Sequence, residues 1–147
     1  MINKFIKEDI SNRLKLLKRI QQLEYVNALE IQDLFGYDRN KSIELVKLFL
    51  NNTKRYEGTV ILCVHHNITS LGKLKYIGGG LDLCTADIES LGDLEYIGKS
   101  LIANKHLEDF GKLKYIGGYL DLPENFPISN ETIKYELNIK INGGILR

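Results

Sequence analysis

Cys63 and Cys84 are the two cysteines of the chain, and His65 and His66 follow the first closely. Thiolates and imidazoles are good zinc ligands, so Cys63, His65 and Cys84 could hold a metal together. No Cys-x-x-Cys or His-x-x-x-His spacing supports that set. Cysteines also pack as inert interior fillers, which is the plainer reading; a redox disulfide is the third. For acid–base chemistry, Asp82 and Asp121 occupy the same position of a repeat, two units apart. Strand spacing puts them roughly 10 Å apart, too far for a retaining-type pair and suited to a solvated face. The glycine pairs resemble phosphate loops, but they recur in phase with strands and open no helix, so a dinucleotide site is not expected. The three histidines sit in no nucleophile motif. A non-enzymatic chain without metal or cofactor is the expectation.

Bulk composition agrees. The chain has 147 residues, net charge +1, 44% apolar and 27% charged residues, an ordinary globular balance. Such a charge gives no global field for nucleic acid or membrane. No run approaches the ~18 apolar residues of a membrane span, and residues 1–10 lack a signal-peptide pattern. Two cysteines in a chain this long suggest a reducing compartment, so a cytoplasmic location is expected. The bias to 15 Lys over 5 Arg, with 18 Ile and 12 Asn, follows AT-rich codons, as in many mesophilic bacteria and their phages.

A repeat positions these residues. Leu74-Lys75-Tyr76-Ile77-Gly78-Gly79 recurs unchanged as Leu113-Lys114-Tyr115-Ile116-Gly117-Gly118, with Leu94-Glu95-Tyr96-Ile97-Gly98-Lys99 between them. Leu71-Gly72, Leu91-Gly92 and Phe110-Gly111 precede these segments; Leu81-Asp82-Leu83, Leu101-Ile102-Ala103 and Leu120-Asp121-Leu122 follow them. The register extends upstream to Tyr56 and Val60-Ile61-Leu62, and downstream to Tyr135 and Ile139-Lys140-Ile141. Tyrosines at 56, 76, 96, 115 and 135 thus recur every 19 or 20 residues. One such unit cannot bury its own apolar face, but stacked units can, which is the signature of a solenoid. Each triplet reads as a short strand of a parallel sheet, outer residues inward and the middle one outward. The glycine pairs belong at corners, where positive φ or close backbone approach is needed.

The pattern Leu-x-Leu-x-x-Ile-Gly-Gly-x-Leu-x-Leu resembles leucine-rich repeats, most closely the receptor-L-domain kind, over roughly residues 54 to 142. The resemblance implies a solenoid that binds other macromolecules and seldom catalyses. The asparagine ladder of ordinary leucine-rich repeats is replaced by Cys63, Cys84, Asn104 and Pro123.

Residues 1–53 read as about three helices. The first starts near Asp9 or Ser11 and carries Leu14, Leu16, Leu17, Ile20 and Leu23 at helical spacing. Asn27 and Glu30 suit the start of a second that ends at Gly36, and Asp38 caps a third from Arg39 to about Asn52. The stretch 31–39 weakly resembles winged helix–turn–helix domains, in which the third helix would offer Arg39, Asn40, Lys41, Glu44 and Lys47 to DNA. Against that, Ile43, Leu45, Val46, Leu48, Phe49 and Leu50 make this helix apolar on more than one face. Residues 1–58 also carry 11 basic and 8 acidic groups, only +3. A terminal cap for the solenoid explains the same residues.

The expected architecture is therefore α+β: a helical cap over 1–53 and a solenoid of about five rungs over 54–147. The expected function is to bind another protein, in the manner of a phage or mobile-element product that inhibits a host bacterial enzyme or defence complex. DNA binding through the third helix is the alternative. Two surfaces could serve the first function. One is the tyrosine row Tyr76, Tyr96 and Tyr115 with Lys75 and Lys114 beside it. The other is the outward sheet face Ile61, Asp82, Ile102, Asp121 and Lys140. The uncapped C-terminal edge, Ile139 to Ile141, invites pairing with a second copy of the chain.

Overall fold

The computed structural model describes residues 4–63 and 68–147. It is an α+β fold: three N-terminal helices, then a parallel-β solenoid. Helix α1 spans Lys4–Gln21 and starts before Asp9 and Ser11, because 4–10 holds no glycine or proline to stop it. Helix α2 (Ala28–Phe35) starts where the Asn27 side chain accepts the Leu29 N–H at 2.7 Å, and ends at Gly36 in the left-handed region, φ 70°. Helix α3 (Arg39–Asn52) is capped by Asp38, which accepts the Lys41 N–H at 2.8 Å.

Each coil contributes two short strands that turn a corner. The first strands are β2 (Arg55–Tyr56), β4 (Tyr76–Ile77), β6 (Tyr96–Ile97), β8 (Tyr115–Ile116) and β10 (Lys140–Ile141). The second are β3 (Thr59–Ile61), β5 (Leu81–Asp82), β7 (Leu101–Ile102), β9 (Tyr119–Asp121) and β11 (Gly144–Leu146). The first set forms a five-stranded sheet; the second forms a six-stranded sheet, completed by β1 (Tyr25–Val26) from the helical region. Every pairing is parallel and in register, and the five strand pairs wind through about four turns. Gly72, Gly92 and Gly111 have φ of 62°, 57° and 57°, as the corner requires. Gly98 and Gly117 are needed for a different reason. A side chain on either would strike the carbonyl oxygen of the glycine in the preceding coil.

The register differs from the tyrosine spacing at both ends. Arg55, not Tyr56, aligns with Tyr76; Tyr56 aligns with Ile77 and points inward, where it is buried against Phe49. At the far end, Lys140 aligns with Tyr115 and Ile145 with Leu120, so Lys140–Ile141 belongs to the five-stranded sheet. Lys140 therefore leaves the outward face expected for it. Tyr135 lies in a π-helical turn, Thr132–Glu136, and is 79% exposed. The cause is an insertion. From Tyr115 to Lys140 the chain runs 140 − 115 = 25 residues, where 19 to 21 separate the other aligned positions. The extra segment packs Phe126 against Phe110 and tucks Ile133 into the core.

One core runs the length of the molecule, from Leu17 and Ile20 through Val46, Phe49 and Leu50 to Leu62, Leu83, Leu101 and Ile116. Each such side chain contributes about 1.5–3 kcal/mol on burial. The N-terminal region meets the first two coils through backbone as well: Lys73 N–H donates to Leu50 O of α3 and Thr59 N–H to Glu24 O, both at 2.8 Å.

Cys63 and Cys84 are joined in a disulfide, with Cα atoms 5.3 Å apart. This corrects the expectation of two inert thiols. Equivalent positions on neighbouring coils come within bonding reach because strand spacing and disulfide span coincide. A bonded pair no longer argues for a reducing compartment. Of the set considered for zinc, Cys63 and Cys84 are bonded to each other, with Asp82 within 4.8 Å of both sulfurs, and His65 lies outside the described residues.

Candidate functional site

The first wall is the five-stranded sheet. Tyr76 and Tyr96 stack with centroids 4.5 Å apart and planes at 4°; Tyr96 and Tyr115 stack at 4.8 Å and 11°. The Arg55 guanidinium lies 3.8 Å over the Tyr76 ring, at the position the register makes equivalent, and is held by Glu57 at 2.7 Å. That contact with Glu57 raises the already high Arg55 pKa. At the other end Asn142 Nδ2 donates to the Tyr115 hydroxyl at 2.7 Å. The Tyr96 phenol is pushed above 10.0, first by desolvation and then by its neighbours Tyr76 and Tyr115. Lys75, Glu95 and Lys114 flank the stack, exposed and alternating in sign from coil to coil. Both faces of Tyr96 and one face each of Tyr76 and Tyr115 are taken up by the stack, so this wall offers a partner chiefly ring edges, hydroxyls and alternating charges.

The second wall is the outer face of the six-stranded sheet. Val60, Leu81, Leu101 and Leu120 point inward and are buried. Alternation then turns two rows outward. One row is Ile61, Asp82, Ile102, Asp121 and Leu146; the other is Tyr25, Thr59, Gly80, Ser100, Tyr119 and Gly144. Ile102 is 37% exposed and Tyr119 50%, so the helices do not cover this face. Thr59 Oγ1 and Ser100 Oγ accept backbone N–H groups of the next coil, from Gly80 at 3.1 Å and Tyr119 at 2.9 Å. Gly80 leaves a shallow depression of about 250 Å³ between Thr59, Ile61, Asp82, Ser100 and Ile102. Tyr25 and Tyr119 rise at its two ends, four strand steps or ~19 Å apart.

The corner between the two strands of each coil therefore divides the expected residues. Tyr76, Tyr96, Tyr115, Lys75 and Lys114 lie on one wall and Ile61, Asp82, Ile102 and Asp121 on the other, so they form no single site. Thr59, Ser100 and Tyr119 could have been found by stepping two residues back from each outward middle residue. Tyr25 could not, because β1 lies outside the repeat. On α3, Arg39, Asn40, Lys41, Glu44 and Lys47 are all exposed while Ile43, Leu45, Val46, Phe49 and Leu50 are buried, so the helix does keep a polar face. The following β2 and β3 join different sheets and make no wing hairpin. A third feature is a cavity of about 490 Å³ beside the disulfide, lined by Cys84, Asp87, Asn104, Lys105 and His106 among others.

Comparison with family models, with curated proteins and with solved structures finds no match to this chain.

Proposed function

We propose that the chain is a non-catalytic protein-binding module that docks its partner on the outer face of the six-stranded sheet. One observation carries this. Tyr25, Ile102, Tyr119 and Leu146 stay exposed on a single flat wall around the gap at Gly80. Aromatic and aliphatic side chains around a small depression are what an interface core uses, and a solvated sheet has no need of them. Asp82 and Asp121, half-buried in the same row, favour a partner that brings lysine or arginine. The leucine-rich-repeat resemblance supports the same role, and the AT-rich bias supports its specific form, a phage or mobile-element product acting inside a bacterial host. Capture from a host lysate with wild type beside Ile102→Asp and Tyr119→Ala tests it. One protein should be retained by wild type and lost from both variants at unchanged thermal stability; retention by both variants refutes the assignment of this face.

A second reading has its own observation. The exposed Arg39, Asn40, Lys41 and Lys47 of α3 could meet a phosphate backbone, in which case the solenoid would be the appended domain of a DNA-binding regulator. The unpaired edge at Ile141 and Gly144–Leu146 adds a self-association surface to either reading.

A further inference from the structure

We propose that the Cys63–Cys84 disulfide is a thiol-exchange site, and that the cavity beside it admits a small thiol carrying a carboxylate, of the glutathione class. Cys84 is exposed whereas Cys63 is half-buried, so Cys84 is the member of the pair that an incoming thiolate meets. The cavity opens at that residue. Its volume of about 490 Å³ lies in the range that holds small molecules and is far too small for a folded protein. Lys105, His106 and Asp87 line it and the Asp82 carboxylate lies within 4.8 Å of both sulfurs, so the exposed Lys105 is the group that would meet a thiol's carboxylate. His106 Nε2 stands 3.7 Å from Asp87 Oδ1 at the cavity wall. The loop that carries it is fixed by the buried Asn104, which donates to Ala86 O at 2.7 Å and accepts the His106 N–H at 3.0 Å.

The exchange balances without an external oxidant. A thiolate attacks Cys84 Sγ, a new S–S bond forms between them, and Cys63 Sγ leaves as a thiolate that takes up a proton. A second thiolate attacks the mixed disulfide at the small-molecule sulfur, releasing the oxidised small disulfide and the Cys84 thiolate. The protein pair gains two electrons and two small thiols lose them. Non-covalent contacts join the same two coils. Leu62 and Leu83 are fully buried beside it, and Leu62 N–H donates to Asp82 O at 2.8 Å, so the two coils stay paired when the bond opens.

The protein, oxidised in air, is incubated with reduced glutathione and, separately, with cysteamine, a thiol that carries a positive charge and no carboxylate. Intact-mass and peptide mapping follow the adduct. The expected result is one glutathione on Cys84, formed faster than the cysteamine adduct and slowed about two- to fivefold in Lys105→Ala and His106→Ala, the weight of a single exposed charge contact. Circular dichroism is expected to retain the folded signal after exchange, and Cys63→Ser, which has no disulfide, to remain folded. An adduct on Cys63, equal rates for the two thiols, unchanged rates in both cavity variants, or exchange only on unfolding overturns the proposal. So does an air-oxidised protein with two free thiols.

Discussion

Removing the central ring of the tyrosine stack separates its structural role from a role in binding. Tyr96 touches two rings, at 4.5 and 4.8 Å, whereas Tyr115 touches one. Each contact is worth roughly 0.5–1.5 kcal/mol beyond burial. The half-buried ring adds about 1 kcal/mol of apolar surface. Tyr96→Ala should therefore cost ~2–4 kcal/mol and Tyr115→Ala about one contact less. Tyr96→Phe keeps both stacks and should cost less than ~1 kcal/mol. Urea unfolding reads this directly. With m of about 2 kcal/mol/M, the Tyr96→Ala midpoint falls by roughly 1–2 M at unchanged m. If Tyr96→Ala costs no more than Tyr115→Ala, or if the Phe variant is as damaged as the Ala variant, the stack does not hold the coils together. A Tyr96→Phe variant that is stable but no longer captures the partner would move the binding face to this wall.

Other consequences are as direct. Gly98→Ala places a methyl group against the Gly78 carbonyl, so the coils must separate and the cost should exceed ~3 kcal/mol; a melting temperature within a degree of wild type would contradict the packing. Tyr56 is pushed well above 10.0 by burial, and Tyr96 is raised as well. The folded chain then holds protons that the unfolded chain has released, so stability is full below that value and declines as pH rises beyond it. Melting curves from about pH 8 to 12 should show the decline, and a flat profile refutes it. Under the DNA reading, binding should weaken steeply with salt and weaken further in Arg39→Ala and Lys41→Ala; salt-independent or absent binding removes that reading. Self-association through Gly144–Leu146 predicts a dimer by light scattering that Ile145→Lys abolishes; a monomer at millimolar concentration rules it out.

The central coils were legible in the sequence because their information is local and periodic. Buried leucines flanking an outward residue, with glycine at a fixed offset, can fill one interior only if the coils stack in phase. The helical caps at Asn27, Asp38 and Gly36 were equally local. The terminal coils were not legible. A tyrosine spacing of 20 residues suits Tyr56 and Tyr135 as well as Tyr96, and strand pairing alone reveals that one is core and the other lies in an inserted turn.

The candidate site divides in the same way. The alternation of a strand marked Ile61, Asp82, Ile102 and Asp121 as outward. Tertiary structure alone decided that Tyr25 joins their wall and that Arg55 completes the tyrosine stack, whereas the repeat already set Cys63 beside Cys84 and left open only whether they bond. The physical reason is one of range. Periodicity fixes which side of a strand a residue faces, but which residues become neighbours across strands depends on register, and register is set by the length of every loop between them.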